Sequence, residues 1–243
     1  MNILKKIRTI IKWMVVAFLG STILSVVALR FLPVYFTPLM FIRLVEQKGD
    51  GESLKLHHRW VPLSEMSPNL PVAVMASEDQ RFLEHHGFDF DAIEKAAQHN
   101  MKHNVKRKHG ASTISQQTAK NVFLWPGRTW LRKGLEAYFT ALIELMWSKQ
   151  RIMEVYLNSI EMGDGIYGAD AVAEWHFKCR AGELTKVQCA QIAATLPNPR
   201  KFNSAKPSSY MLTRRDQILH QMKNIPKFPA EGEDVKEQDK HTR

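Results

Sequence analysis

Trp13 through Leu29 is a run of 17 residues without a single charge. It is the strongest constraint on what the chain can become. A segment that apolar has to satisfy every backbone hydrogen bond internally once it leaves water, so it must be a helix. With Ile10 and Ile11 it reaches the roughly 20 residues needed to cross a bilayer. Lys5, Lys6, Arg8 and Lys12 precede it and Arg30 closes it, an asymmetry that predicts a cytoplasmic N-terminus, and Trp13 and Tyr35 suit the two interfaces. A cleaved signal peptide would have a shorter apolar region, about 7–15 residues, ending at a small-x-small site. Ser25-Val26-Val27-Ala28 is a poor site of that kind. An uncleaved anchor over residues 1–36 is therefore expected, with everything after it outside the cytoplasm.

The following residues, 37–227, are enough for one sizeable core. Their patterns are those of helices. Ser67-Pro68 offers a cap and a first-turn proline, and the helix it starts would run through Val72, Met75 and Ala76, with Gly87 placed to end it. Asp91 with Glu94 and Thr113 with Gln116 have the spacing of capping boxes. Leu131, Leu135, Tyr138, Leu142, Leu145 and Met146 recur every three or four residues, the period of an amphipathic helix. Gly163-Asp164-Gly165 reads as a turn, and Val187–Leu196 as a helix stopped by Pro197-Asn198-Pro199. Alternating segments are scarce, so the fold class expected is mainly α. The charged tail, 228–243, has little to pack and is expected to be disordered. Cys179 and Cys189 either pair or are simply two small buried residues.

Charge adds a chemical constraint. Lys and Arg number 34 against 24 Asp and Glu, and the excess is local. No acidic residue occurs between Lys95 and Leu135, an interval holding Lys102, Lys106, Arg107, Lys108, Lys120, Arg128, Arg132 and Lys133. Such a field gathers anionic partners. Nucleic acid is the usual one, but a domain outside the cytoplasm does not meet it. The Lys102–Lys108 cluster is instead expected to be a loop drawn to anionic lipid.

The acid-free interval is flanked by carboxylates in two defined blocks. Upstream stands Glu78-Asp79-Gln80-Arg81-Phe82-Leu83-Glu84-His85-His86-Gly87; downstream, Arg132-Lys133-Gly134-Leu135-Glu136. Between them lies Gly110-Ala111-Ser112-Thr113-Ile114-Ser115-Gln116-Gln117-Thr118-Ala119-Lys120-Asn121. A carboxylate can take a proton from a hydroxyl, and fixed cations can neutralise a departing diphosphate. Read one at a time, these residues have plainer roles. Glu136 stands one turn after Arg132, the spacing of an ordinary helical ion pair.

In order and spacing the blocks resemble the peptidoglycan glycosyltransferase family, which polymerises lipid II. The likeness continues through Lys149–Asn158 and Ala190–Pro199. It implies a lysozyme-like fold with a small membrane-proximal subdomain built from parts of Val105–Trp130. It also implies Glu78 as general base on the acceptor 4-hydroxyl and Glu136 as second catalytic carboxylate. Asp79 would support Glu78, and Ser112, Thr113, Gln117, Lys120, Arg132 and Lys133 would bind substrate. For His85 a structural hydrogen-bonding role is expected. Glu136 would either orient Arg132 or Lys133 or help to hold a divalent cation (Mg or Mn), and no other cofactor is implied. The partners implied are lipid II, the growing strand, membrane lipids and other cell-wall synthases or division proteins.

Some positions depart from the family pattern. Ser115 and Thr118 stand where it often has Thr and Leu, Glu161 where many members have an aromatic residue, and Phe202 and Ser204 where Tyr and Pro are frequent. Two rivals remain. A lytic enzyme on a related fold would have little use for Lys120, Arg132 and Lys133, and a non-enzymatic scaffold would not need Glu78 and Glu136. Val122-Phe123-Leu124-Trp125 reads equally as core or as a membrane-dipping segment.

Overall fold

A computed structural model describes residues 2–103 and 110–229, so Lys106, Arg107 and Lys108 of the basic cluster and the tail from residue 230 lie outside the described residues. The chain divides into two compact units, 1–33 and 34–243. The first is helix α1, Asn2–Phe31, whose Ile3–Phe31 stretch has a mean hydropathy of 2.0. Thirty residues make about 45 Å of helix, more than the ~30 Å hydrocarbon thickness.

The second unit is mainly helical. Helix α2, Pro38–Gly49, is capped by the Thr37 hydroxyl, which accepts from the Met40 amide. Strand β1, His57–His58, leads to α3, Asn69–Glu78. Then come α4 (Phe90–His103), α5 (Ile114–Phe123), α6 (Trp130–Met146) and α7 (Lys149–Ser159). A hairpin of β2 (Glu161–Gly163) and β3 (Ile166–Tyr167) follows, with β3 also pairing in parallel with β1. Helices α8 (Ala169–Val172), α9 (Lys186–Ala193) and α10 (Ser209–Gln221) complete the unit. At its centre α5 packs against α6 and α7, while α3 packs against α9 and α10. The described part of the region expected to form a subdomain thus contributes α5 to this core.

Several boundaries differ from the sequence expectation. Ser67 is buried and does not cap α3; Pro68 occupies the cap without a side-chain bond. The helix ends at Glu78, well before Gly87, because Asp79 turns extended there (φ −161°, ψ 80°). Asp89, not Asp91, caps α4, its Oδ1 accepting from the Ala92 amide at 2.9 Å. The Thr113–Gln116 box forms as expected, and a second, unanticipated one joins Thr185 to Gln188. Both cysteines are free thiols. Phe228 stacks on Phe82 with ring centroids 6.4 Å apart, so packing continues at least one residue past 227.

The helix expected from the leucine repeat forms as α6, but its apolar stripe is not its buried face. Arg132, Glu136, Phe139, Thr140 and Ile143 face inward, while Leu131 is 70% and Leu145 81% exposed. Val122 and Leu124 are core, and Phe123 stacks face to face on Phe139 at 4.5 Å; Trp125 is the exposed member of that run. Beside the site, Asn158 stitches α7 to the segment before α3, its side chain bonding both the amide and the carbonyl of Val61 (3.0 and 2.9 Å). A β-carbon on Gly168 (φ +83°) would stand 2.6 Å from the Asn158 carbonyl oxygen, so only glycine fits this crossing.

The departures from the family pattern acquire local explanations. The Ser115 hydroxyl donates to Glu144, and that of Thr118 bonds back to the Ile114 carbonyl at 2.9 Å. Ser204 Oγ meets His176 Nδ1 at 2.6 Å. Glu161 is held near Arg43 (3.8 Å); burial raises its pKa, and Arg43 and Arg200 counter that rise.

Candidate active site

Glu78 is presented by the way α3 ends. The Asp79 carboxylate is drawn aside by two donors: the Ile114 amide, in the first turn of α5, at 2.9 Å, and His85 Nε2 at 2.9 and 3.0 Å from its two oxygens. The first contact fills an amide that the helix itself leaves without a partner, and a carboxylate is favourable there. His85 Nδ1 accepts from the Gly87 amide at 3.2 Å, which leaves Nε2 to carry the hydrogen toward Asp79. Gly87 itself sits at φ +89° with Thr140 and Glu144 against it. Below this loop the Lys149 ammonium bonds the His85 carbonyl (2.6 Å) and Glu144 (2.8 Å) and lies 4.5 Å from the centre of the Phe82 ring. Burial lowers the Lys149 pKa, and Glu144 opposes that. Asp79 and His85 are thus buried supports, and Glu78, half-buried, is the carboxylate left facing the cleft.

Both oxygens of Glu78 are held. Oε1 accepts from the Ser77 hydroxyl at 3.2 Å and Oε2 from the Gln117 amide nitrogen at 3.1 Å. Behind these stand two residues to which the sequence assigned no role at the site. Arg214 of α10 reaches the Ser77 carbonyl at 3.2 Å, and the hydroxyl of Tyr156, on α7, donates to Gln117 Oε1 at 3.3 Å. Tyr156 lies in the quoted Lys149–Asn158 block, but Arg214 lies outside every block, so only three-dimensional packing could find it. A cavity of about 280 Å³ opens beside Glu78, lined also by Arg81, Lys95, Ser112 and Thr113.

The basic side is built from the end of α5 and the start of α6. Thr129 caps α6 by accepting from the Arg132 amide at 3.3 Å. One turn on, Glu136 receives Arg132 at 2.6 Å on one oxygen and Lys133 on the other. The Arg132 and Glu136 side chains are 9% and 4% exposed, and Arg132 Nε is buried without a partner. Removing water strengthens the pair's attraction, but each ion loses hydration, so the pair is weak evidence of net stability. The Lys120 ammonium makes no hydrogen bond or ion pair among the described residues. Burial lowers its pKa, the carboxylates of Glu136 and Glu78 pull it back up, and Arg132 and Lys133 depress it further. Lys120 is therefore within electrostatic reach of both acids. Three cations and one carboxylate leave an excess of positive charge around Lys120, which also feels the Glu78 carboxylate.

The remaining sequence candidates divide between these functions. Ser112 is exposed on the cavity wall. Thr113 is buried, and its hydroxyl is committed to the Gly87 carbonyl (2.7 Å) and the Gln116 amide. Gln117 sits on Glu78 rather than among the cations. Among the described residues no group of three or more His, Cys, Asp or Glu converges as a metal site. Both Glu136 oxygens are already engaged by Arg132 and Lys133, so a divalent cation finds no ready carboxylate there.

The family model described as Transglycosylase matches residues 48–223. A protein of Bacteroides thetaiotaomicron named "Biosynthetic peptidoglycan transglycosylase" is 61% identical over 93% of this chain and 90% of its own length. Relatives bearing the same name from Bdellovibrio bacteriovorus (54% identical, 88% of this chain and 86% of that protein) and Caulobacter vibrioides (49%, covering 87% and 89%) are similar throughout.

Proposed function

The chain belongs to the transglycosylase family, and from that premise we propose that it polymerises lipid II into β-1,4-linked glycan strands, releasing undecaprenyl diphosphate. The observation that carries the reading is a carboxylate held by two donors within electrostatic reach of a buried lysine that belongs to an excess of cations. Glu78 takes the proton of the acceptor 4-hydroxyl. The deprotonating oxygen displaces the diphosphate from the anomeric carbon with inversion, and Lys120, Arg132 and Lys133 receive the growing negative charge. Arg132 suits a phosphate through its planar fork, Lys120 as a point charge. Glu136 keeps Arg132 and Lys133 oriented. Ser112, on the open wall, contacts substrate, and Asp79 fixes the turn that aims Glu78. Since Glu136 is already doubly engaged, charge neutralisation is assigned to the side-chain cations alone.

Residues 1–36 are the anchor, with the four N-terminal cations in the cytoplasm, and the domain from 37 onward, which packs at least as far as Phe228, is catalytic on the outer face of that membrane. Membrane lipids and the lipid-linked strand are the partners this placement supplies.

The full-length protein in detergent is expected to convert lipid II into polymer resolvable on a gel. Intact lipid II together with shortening of preformed glycan would replace this reading with the lytic one. The pH dependence adds an independent check. Lys120 must be charged to meet the diphosphate, and its pKa lies below the ordinary lysine value. Activity is therefore expected to fall as pH rises through that lowered pKa, earlier than for an exposed lysine. Lys120→Arg should push this alkaline limb upward; an alkaline limb unmoved by the substitution would remove Lys120 from the diphosphate site.

A further inference from the structure

We propose that Tyr156 is a positioning residue for the base: acting through the Gln117 side-chain amide, it fixes Glu78 Oε2 as the anchored oxygen and leaves Oε1 as the one that accepts the proton. This rests on Glu78 being the base.

The argument begins with what each group can donate. Tyr156 is wholly buried, and its hydroxyl donates to Gln117 Oε1 at 3.3 Å. The opposite end of that amide donates to Glu78 Oε2 at 3.1 Å. A carboxamide has one donating and one accepting end, and an ionised carboxylate only accepts, so Glu78 takes the donating end while the phenol holds the other by giving its hydrogen to the amide oxygen. Reversed, the amide would set its oxygen against Glu78 Oε2, tolerable only after Glu78 is protonated. It would also leave the phenolic hydrogen without its acceptor in a dry site, a cost of desolvation with nothing returned. Burial, with the Glu78 and Asp79 carboxylates added, raises the Tyr156 pKa well above the usual phenol value, so that hydrogen stays in place. The orientation of Gln117 thus belongs to the fold and does not follow the protonation state of Glu78.

The other oxygen is held differently. Ser77 Oγ has one hydrogen and two acceptors within reach, Glu78 Oε1 at 3.2 Å and the Ala193 carbonyl at 3.4 Å. Arg214 approaches the same hydroxyl oxygen at 3.5 Å. The Ser77 hydrogen can therefore swing to Ala193 when Oε1 becomes protonated, whereas Gln117 cannot turn away from Oε2. In the transfer the acceptor O–H bond breaks and its proton passes to Oε1. The freed oxygen pair forms the bond to the anomeric carbon, and the diphosphate departs with the electrons of the old C–O bond. One oxygen stays anchored while the other reacts, so the carboxylate keeps its aim through the step.

Tyr156→Phe removes one oxygen and keeps the ring that fills the core. With lipid II as substrate, the rate at saturation is expected to fall about tenfold while KM stays within twofold, because the anchored orientation matters in proton transfer and not in binding. The companion measurement uses Gln117→Leu, which deletes the relay. In that background Tyr156→Phe should have no further effect on the rate, a non-additivity expected only of residues acting through one another. An equal loss in both backgrounds, or a rise in KM with unchanged saturated rate, would overturn the relay and leave Tyr156 as packing. Glu78→Gln in the same series separates the premise: full activity there would sink the base assignment itself, whatever Tyr156 does.

Discussion

Glu78→Gln is expected to lower the initial rate of lipid II polymerisation by about 10²–10⁴-fold, the usual worth of a positioned proton acceptor, while leaving the fold intact. The substitution keeps the shape and most of the contacts. The new amide oxygen can still accept from Gln117 Nε2, now 3.1 Å from Oε2, and the new NH₂ can donate to Ser77 Oγ, 3.2 Å from Oε1. What the amide cannot do is take up a proton at neutral pH. Equal thermal melting of the two proteins with a collapsed rate would separate the chemical from the structural contribution of this position. A rate within tenfold of the parent at equal stability would end the assignment of Glu78 as base, because no other acceptor would then be needed at that point in the cleft. It would also revive the reading of the chain as a scaffold.

Glu78, Asp79, His85 and Gln117 could be named from the chain, but the contacts that join them, and Arg214 behind them, could not, and the reason is physical. The apolar N-terminal helix, the Thr113–Gln116 capping box and the helical period of α6 are local signals, fixed by neighbours three or four residues apart. They survive folding unchanged. The groups that hold Glu78 come from far along the chain: Gln117 is 39 residues away, and Arg214 meets Ser77 across 137. No periodicity encodes such contacts. The α6 face was misleading for a different reason. A hydrophobic stripe normally marks the buried side, but here α6 turns its ion pair inward and leaves Leu131 and Leu145 in the open. Sequence spacing found the Arg132–Glu136 pair and gave no hint that it was buried. The end of α3 was missed because Asp79 finds its partners, Ile114 and His85, only once α5 is in place; reading forward, Gly87 was the nearest stop signal.

The inward-facing pair supplies the second large effect. Glu136→Ala is expected to destabilise the protein by about 3–5 kcal/mol, because it leaves Arg132 charged, buried and unpaired. Lys133, at 45% exposure, can turn to water and adds little to that loss. For a domain of this size the drop corresponds to a fall in melting temperature on the order of 10 °C. Loss of polymerisation in Glu136→Ala alone therefore does not separate a reacting carboxylate from a structural one. Replacing both members of the pair with apolar residues of similar volume, Arg132→Met with Glu136→Leu, removes the unpaired charge as well as the pair, so most of the stability should return. Polymerisation should not return with it, since the guanidinium that meets the diphosphate is gone and Lys133 has lost the oxygen that orients it. A stable double variant without activity would assign the pair to chemistry. A stable double variant that still polymerises lipid II would leave Lys120 to carry the diphosphate with little help and would reduce Arg132 and Glu136 to a brace between α6 and the core.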